Sequence, residues 1–343
     1  MEMKKLLIQN NFCFLEKIHQ SYDLLSFSPK VYSVAQKDFF QQRYKNLKTI
    51  YPRLSWEPIK TSCINTDFLA WDAFDEKKES NNKVLPFQNR LMTSIPFTIP
   101  EGFSSFRKKI EQILPSQFNE TIPPTDPDVL NRLHYFFDQK KLASTYFETR
   151  NGVVGNNYST QLSAFLSCGS LDVRYLYNYV KDYEKNHGEN KSTYWIIFEL
   201  LWREFFYWHY QKHESLYFSE NGLKGEKNFS SPKEYSLTEL RQLQSPELFR
   251  AALTELEQTG FMSNRIRQIF ASIWINDLQL PWRSGALLFE KYLIDYDVYS
   301  NYGNWMYLSG VGVDPRGKRY FNVEKQLSMY DPSGEYIRKW QPL

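Results

Sequence analysis

Cysteine is scarce in this chain of 343 residues, which contains only Cys13, Cys63 and Cys168. Three cysteines so far apart in the sequence argue against a disulfide framework and against a zinc site. The N-terminal stretch MEMKKLLIQNNFCF has no sustained apolar region, and no apolar run approaches the length of a membrane span. The sequence therefore predicts a soluble, cytoplasmic protein without a membrane-embedded part.

Short motifs that mark several common enzyme classes are also absent. The sequence has no Walker loop, no GxGxxG fingerprint and no HExxH helix. Of its five histidines, only His209 and His213 have the i, i+4 spacing of two metal ligands on one helical face. Because no glutamate or cysteine signature adjoins them, packing or solvent-facing roles are favoured, and no metal is expected.

Aromatic residues, in contrast, are abundant. They make up 17% of the chain, with 24 tyrosines and 26 phenylalanines. Such a composition fits an aromatic-rich core, and it equally fits a site that stacks on planar groups. The net charge of +3 permits contact with nucleic acid but does not require it.

The first part of the chain has mixed character. Residues 1–70 combine strand-like and helical segments and are too short for a doubly wound domain. The charged stretch DEKKESNNK (75–83) predicts a loop, and FSSFRKKIEQIL (103–114) predicts an amphipathic helix. The proline-rich stretch 115–128 predicts an extended linker.

From residue 128 onward the pattern becomes helical, and convincing strands are almost absent. An Asp-Pro start precedes apolar residues at helical spacing. Further helices are predicted at 159–168, 171–184, 192–213, 246–258, 262–277 and 283–293. The bulk of the protein is therefore predicted to be mainly α.

The segment STYWIIFELLWREFFYWHY (192–210) predicts one long aromatic helix. Within it Glu199, Trp202 and Arg203 share a face, because they are spaced i, i+3 and i+4. A carboxylate in so apolar a run must be paired, protonated or directed at a cavity. Two interpretations stay open: a core helix with a satisfied Glu–Arg pair, or the wall of a ligand cavity.

A second helix, TGFMSNRIRQIFASIW (259–274), contains two arginines that need anionic or carbonyl partners. Asp295 and Asp297 follow it, and if that stretch turns, both carboxylates can reach one arginine. Such a pair at the edge of a cofactor would hold position and tune electrostatics, whereas a surface pair would contribute little. Asn264, Arg267 and Gln268 share one face of this helix.

The segment RNGVVGNNYSTQLSAFLSCG (150–169) combines a turn rich in glycine and asparagine with Ser159, Thr160 and Ser163. Hydroxyl and free backbone N–H groups at the start of a helix bind phosphate well. The same residues also suit an ordinary helix cap. Composition does not separate these two interpretations.

Six segments occur in one order along the chain: ETRNGVVGNNYSTQLSAFLSCGSL, FELLWREFF, TGFMSNRIRQIFAS, LPWRSGA, LIDYDVYSNYGNW and YDPSGEYIRKW. Together they resemble the FAD-binding domain of photolyases and cryptochromes, most closely the DASH type, to which ETRNG, GFMSNR and Gln268 point. The resemblance covers 128–342, with a weaker echo in 85–111. It implies a helical FAD-binding domain at 128–343, a linker at 111–127 and a truncated, antenna-like α/β remnant at 1–110.

The resemblance also implies FAD as the cofactor and a position for each contact. The residues expected at the FAD phosphates and ribityl chain are Tyr146, Ser159, Thr160, Leu162 and Ser163. Arg267, Asp295 and Asp297 are expected along the isoalloxazine and adenine of a U-shaped FAD, with Asn301 at flavin N5.

Two further groups follow from the resemblance. Trp305 and Trp282 are expected as the inner two members of an electron-transfer chain. The residues expected around the cavity that receives a pyrimidine dimer are Glu199, Trp202, Asn264 and Gln268.

The sequence departs from the family pattern in three places. Residues 1–110 are too short for a complete antenna domain, so no antenna pigment is expected. Ser231 stands where the outer tryptophan of the electron-transfer chain is expected. Arg250, within SPELFRAA, stands where relatives have an aspartate.

The implied function is blue-light-driven electron transfer in a flavoprotein. One hypothesis is a photolyase-like enzyme that repairs cyclobutane pyrimidine dimers in DNA, with a preference for single strands. The alternatives are a photoreceptor that repairs nothing and a flavoprotein of another redox function. Glu199, Trp202 and Asn301 favour repair, whereas the short N-terminal region, Ser231 and the altered 245–252 segment favour the alternatives. The sequence identifies no protein partner.

Overall fold

The computed structural model describes residues 89–313 and 319–341. Within these ranges the chain is mainly helical and contains no β-strand, which confirms the predicted fold class for this part of the protein. Most of the antenna-like region predicted at 1–110 lies outside the described residues, so that prediction stays open. No helix in the described ranges is both long enough and apolar enough to cross a bilayer.

The helices are α1 (Phe103–Glu111), α2 (Pro127–Leu133), α3 (Tyr146–Thr149), α4 (Ser163–Ser167), α5 (Val173–His187), α6 (Lys191–His213), α7 (Leu237–Gln242), α8 (Glu247–Thr259), α9 (Asn264–Ser272), α10 (Trp282–Tyr292), α11 (Val298–Ser309), α12 (Val323–Tyr330) and α13 (Glu335–Lys339). Two π-helical stretches, His134–Gln139 and Ile273–Asp277, extend α2 and α9. Two 3₁₀ turns, Leu142–Thr145 and Glu214–Phe218, precede α3 and follow α6.

The predicted helix at 159–168 is shorter than expected. It begins only at Ser163, because Gln161 has a φ of +53°, in the left-handed region that an α-helix excludes. The other predicted helices are found within a few residues of their expected bounds. The difference at 159–163 leaves a tight turn where the phosphate contacts are expected.

The long helix α6 is the centre of the described structure. Asn190 caps it, since its side chain accepts the N–H groups of Ser192 (2.7 Å) and Thr193 (3.0 Å). The Thr193 hydroxyl accepts the Asn190 N–H in return, which completes a capping box. Apolar and aromatic side chains surround α6, and it packs against α1, α3, α5 and α11. A helix that is apolar all round is buried, as this one is.

The contact between α6 and α11 is unusually close at Gly303. A Cβ atom at this position would lie 2.2 Å from the ring of Phe206. Glycine therefore allows the two helices to approach, and it brings α11 directly against the aromatic face of α6.

Residues 89–92 run alongside α6 and are fixed by buried polar groups. The Glu204 carboxylate, on α6, accepts the N–H groups of Leu91 (3.0 Å) and Met92 (3.1 Å). The Asn89 side chain accepts the N–H of Val173 (2.7 Å), at the start of α5. Glu204 and Asn89 are both nearly inaccessible to solvent. Buried donors and acceptors need partners, so these bonds determine the course of the segment.

The predicted linker has no helix between residues 115 and 126, and it is closely attached to α5. Asn178 accepts the N–H of Phe118 (2.7 Å) and donates to its carbonyl oxygen (2.7 Å). Asp172 accepts the N–H of Ile122 (2.9 Å). The linker therefore packs on the helical body along its length.

Candidate functional site

Arg267 and Asp295 form the ion pair that the sequence predicts. Arg267, on α9, donates from Nη2 to both carboxylate oxygens of Asp295, at 3.0 and 2.8 Å. Its Nε donates to the Met262 carbonyl oxygen (2.9 Å). The Asp295 side chain is 3% exposed and that of Arg267 is 23% exposed. The Asp295 carboxylate is thus buried, whereas the Arg267 guanidinium is partly accessible to solvent.

Asp297 does not share this arginine, so the expectation that both carboxylates reach one guanidinium is wrong. Its Oδ2 lies 3.4 Å from Arg90 Nη2 and 4.0 Å from Arg203 Nη2. Its Oδ1 accepts the N–H of Ser300 (2.8 Å), which caps α11. Capping directs the carboxylate towards α6 and away from α9.

The charges around Asp297 decide its protonation. Burial alone would raise the pKa of Asp297, but Arg90, Arg203 and the hydrogen bonds from Ser300 bring it below the ordinary value. Burial, together with the neighbouring Arg90, lowers the pKa of Arg203 to about 10. Asp297 and Arg203 are therefore both charged at neutral pH.

Asn301 and Trp305 follow on α11. Asn301 Nδ2 donates to the Ala286 carbonyl oxygen on α10 (2.9 Å), which fixes the orientation of the amide. Trp305 is 2% exposed, and a Cβ atom on Gly285 would lie 2.2 Å from its ring. Trp282 begins α10, where its Nε1 donates to the Glu220 carbonyl oxygen (2.8 Å).

The turn at 156–163 is held by an arginine that sequence reasoning missed. Arg132, on α2, donates to the carbonyl oxygens of Asn156 (2.8 Å), Ser159 (2.7 Å) and Thr160 (2.7 Å). No local signal identifies Arg132, because its partners are backbone atoms far along the chain. These three hydrogen bonds hold the turn in place.

The residues predicted in this turn differ in accessibility. Leu162 is fully buried, Ser159 and Thr160 are half-buried, and Ser163 is exposed at the start of α4. No side chain caps α4. Its first N–H groups and the Ser163 hydroxyl form a donor set suited to an anion.

Glu199 lies beside Arg150, and the Glu199–Arg203 pair that helical spacing allows does not form. Glu199 Oε1 is 3.8 Å from Arg150 Nη1 and accepts from Trp195 Nε1 (3.1 Å). Arg203 instead donates to the Asn89 carbonyl oxygen. The segment at 89–92 therefore binds the Arg203 guanidinium, which helical spacing places near Glu199.

Glu199 lies in a recess. Burial raises the pKa of Glu199 against the opposing influence of Arg150 and Trp195, yet the side chain is 36% exposed. A raised pKa and partial exposure occur together where protein atoms surround a side chain on most sides and solvent reaches it from one side. Burial, then the charge of Glu199, raises the pKa of Tyr146 above its ordinary value, so Tyr146 belongs to the same recess.

Trp202 has one covered ring face. Phe103, at the start of α1, stacks on it with centroids 3.7 Å apart and planes at 9°. At most the opposite face is left for a planar ligand. On α9, Asn264 is exposed and Gln268 is half-buried, and the structure gives no direct contact between either residue and Trp202. The neighbouring Arg265 donates to Asn151 Oδ1 (2.7 Å).

Glu255, on α8, is a second buried acid near Arg267. It accepts a hydrogen bond from Tyr336 Oη (2.6 Å) and is 6% exposed. Burial raises the pKa of Glu255 to about 7, although Tyr336, Arg267 and Lys339 oppose the shift. The Glu255 carboxyl group is therefore partly protonated at neutral pH.

Comparison with known proteins shows which family the chain resembles. Residues 195–343 match the model described as the FAD binding domain of DNA photolyase. The chain is 40% identical over 278 residues to Cryptochrome DASH of Vibrio parahaemolyticus, which covers 73% of this chain and 62% of that protein. In this region the chain is similar to the FAD-binding domain of the photolyase/cryptochrome family. Cryptochrome DASH of Synechocystis is 41% identical over 290 residues, covering 72% of this chain and 59% of the relative.

Solved structures of family members agree with the fold. The cryptochrome of Synechocystis sp. PCC6803 superimposes with a TM-score of 0.64 at 37% identity, over 74% of this chain and 61% of that one. A class III photolyase from Agrobacterium tumefaciens gives 0.53 at 26% identity, over 62% and 44%. The predicted resemblance to photolyases and DASH cryptochromes is thus confirmed. The chain spans about three fifths of the length of the first curated relatives it matches.

The acid Glu255 predicts a pH dependence of stability in this protein. Its folded-state pKa lies above that of the unfolded chain, so its contribution is complete below about pH 4.5 and is lost as the pH rises through 7. Between pH 5 and pH 8, the unfolding free energy of the wild type should fall by about 3 kcal/mol relative to Glu255→Gln. Denaturant unfolding of both proteins at each pH measures this difference.

The matched control is Glu257→Gln, on the same helix, where the carboxylate is 45% exposed and pairs with Arg241. Other titrating groups, such as His209, are common to all three proteins and cancel in the comparison. Parallel pH profiles for the wild type and Glu255→Gln would contradict the prediction.

Proposed function

We propose that this chain binds FAD and uses blue light to drive electron transfer. The observation that carries the proposal is the anchored Arg267–Asp295 pair, and the fixed amide of Asn301 follows on α11. A partly open guanidinium on a buried carboxylate supplies fixed charge at the edge of a flavin. The Asn301 amide can bond to flavin N5 without delivering a proton as an acid would.

The remaining predicted contacts fit this cofactor chemically. Tyr146, the hydroxyls of Ser159, Thr160 and Ser163, and the backbone of Leu162 would hold the phosphates and ribityl chain. Because the Leu162 side chain is buried, its contribution would come from backbone atoms. Asp297 is engaged with two arginines, so we assign it to holding α11 in place. The bound flavin would supply light absorption and single-electron chemistry.

The first expected outcome concerns FAD itself. The purified protein should be yellow and should release FAD on denaturation. Arg267→Ala should weaken FAD retention at least tenfold, because truncation leaves the Asp295 carboxylate buried and unpaired, at a cost of about 3–5 kcal/mol. Absorption spectra after gel filtration measure the retained flavin.

The control is Arg241→Ala, which removes a surface pair with Glu257. Circular dichroism of each variant separates loss of cofactor from loss of fold. Wild-type protein that stays colourless after reconstitution, or Arg267→Ala that retains FAD normally, would count against the proposal.

Electron supply to the flavin would use buried aromatic rings. Trp305 and Trp282 are the family's inner positions, and Ser231 interrupts that series. A second series of close rings leaves Trp305 in another direction. Trp274 lies 6.1 Å from Trp305, and Tyr235 lies 5.5 Å from Trp274, between centroids. Tyr235 is half-buried, and we propose that this branch compensates for Ser231.

Photoreduction rates without an added reductant test this branch. Trp305→Phe should nearly abolish reduction, since both series begin at that ring. Tyr235→Phe should slow reduction severalfold, and Ser231→Trp should accelerate it. Tyr320→Phe is the control, because that ring is 60% exposed and outside both series. If Tyr235→Phe is reduced at the wild-type rate, the proposed branch through Trp274 and Tyr235 is wrong.

The Glu199 recess supports DNA repair as the activity that the light-driven electron transfer serves. The recess has a basic neighbour in Arg150 and, on α9, Arg265. We propose that the face of Trp202 opposite Phe103 stacks on a pyrimidine dimer and that Glu199 bonds to its carbonyl edge. A dimer is already unstacked in DNA, so flipping it out costs less than for an intact base. The alternatives are a non-repairing photoreceptor and another redox flavoprotein.

Reduced, FAD-loaded protein under blue light should restore dimer-containing oligonucleotides. Trp202→Ala should weaken substrate binding about 5- to 150-fold, because stacking on one ring is worth about 1–3 kcal/mol. Glu199→Ala should reduce repair more than Glu199→Gln, which keeps a carbonyl oxygen. Glu189→Ala, an exposed acid just before α6, is the control.

Strand form and salt add two comparisons. Single-stranded substrate should be preferred, as in the DASH resemblance, and binding should weaken as salt rises. Loaded protein that neither binds nor repairs dimers in either strand form would exclude repair and leave the photoreceptor or another redox role.

A further inference from the structure

Three side chains of the kind that bind metals meet where α6 ends. His209 and His213 lie on consecutive turns of α6, and Glu101 lies in the bend before α1. Glu101 Oε2 is 3.5 Å from His209 Nε2 and 3.0 Å from His213 Nε2. One ligand atom from each residue lies within 4.8 Å of the other two. No acid adjoins the histidines in sequence, so the fold supplies the carboxylate that the spacing alone lacked.

The hydrogen bonds of His209 determine which nitrogen faces the cluster. Tyr217 Oη lies 3.3 Å from the Phe206 carbonyl oxygen, to which it donates, and 2.6 Å from His209 Nδ1. Where Nδ1 donates to Tyr217, the proton of the neutral imidazole is on Nδ1, and Nε2 presents a lone pair to the cluster.

That lone pair is buried and lacks a hydrogen-bond partner among the described residues. His209 is 1% exposed. A bare nitrogen lone pair next to a carboxylate oxygen is unfavourable, and a cation between them would satisfy both.

The distances suit a small divalent ion. Zinc bonds of about 2.0–2.1 Å in tetrahedral geometry separate neighbouring ligand atoms by roughly 3.3–3.4 Å. The two histidine Nε2 to Glu101 Oε2 separations, 3.5 and 3.0 Å, bracket this value. Tyr217 on Nδ1 provides the outer hydrogen bond that orients a metal-binding histidine.

We propose that Glu101, His209 and His213 form a binding site for a first-row divalent metal ion of the zinc type. Imidazole and carboxylate ligands suit such ions, and the exposed Glu101 side leaves room for water as a further ligand. The ion would tie the bend before α1 to the end of α6. Phe103 follows this bend closely, so the tie would also steady the ring that stacks on Trp202.

Lys212 is the natural competitor for this carboxylate. Its Nζ bonds to Glu101 Oε1 and to the Ile99 carbonyl oxygen (2.9 Å), whereas Oε2 faces the histidines. A fixed positive charge next to the site opposes a second cation. Lys212→Gln should therefore strengthen metal binding, in the opposite direction to loss of a ligand.

The test uses the full chain after chelator treatment and dialysis. Calorimetric titration with Zn²⁺ measures stoichiometry and affinity, and Co²⁺ absorption reports the ligand type. The wild type should bind one ion per chain and gain thermal stability with it. Glu101→Gln and His213→Ala should each weaken binding at least tenfold and abolish the thermal shift, while Lys212→Gln tightens binding.

His134→Ala is the matched control, because His134 and Asp138 form another i, i+4 pair, 3.0 Å apart and exposed. It should bind as the wild type does. Wild type that binds no ion, ligand variants that bind normally, or an equal loss in His134→Ala would overturn the proposal. Thiolate bands in the cobalt spectrum would assign the ion to cysteine and overturn it as well.

Discussion

Arg90, Arg203 and Asp297 bring two guanidinium groups and one carboxylate into a space with almost no solvent. Charges so placed are tolerated only when they are paired, and removing one partner of a buried pair costs about 3–5 kcal/mol. Tyr207 and Tyr299 flank Arg90, with ring centroids 4.5 and 4.9 Å from its guanidinium carbon. This cluster therefore fixes the segment at 89–92, α6 and α11 relative to one another.

The candidate flavin site depends on that arrangement. Asp297 caps α11, so the direction of the helix, and with it the positions of Asn301 and Trp305, is set by a residue already bound to α6. Asp295 precedes the cap and turns the other way, towards Arg267 on α9. Two aspartates separated by one residue thus connect α11 to opposite sides of the structure, one for support and one for the site.

Helical periodicity explains which parts of this could be predicted from the sequence. Spacing identifies the residues that share a face of α6 or α9, and the two carboxylates at 295 and 297 made an Arg267 pair with an aspartate predictable. Spacing does not identify which distant segment lies against that face. For this reason the partners of Asp297 and Glu199 were missed, since Arg90 and Arg150 approach from other parts of the chain. Arg132 had no local signal because it binds only backbone carbonyls.

The abundance of aromatic residues left open a choice between core and stacking site, and Trp202 belongs to the core through at least one ring face. Its stacked partner Phe103 belongs to α1, which follows the bend that contains Glu101. A ring held from behind loses little freedom when a ligand stacks on its other face, so more of the stacking energy is available for binding. Whatever fixes Glu101 against the end of α6, Lys212 or a metal ion, therefore acts on the recess through Phe103. Contacts at the end of α6 and contacts at its middle are in this way connected through α1.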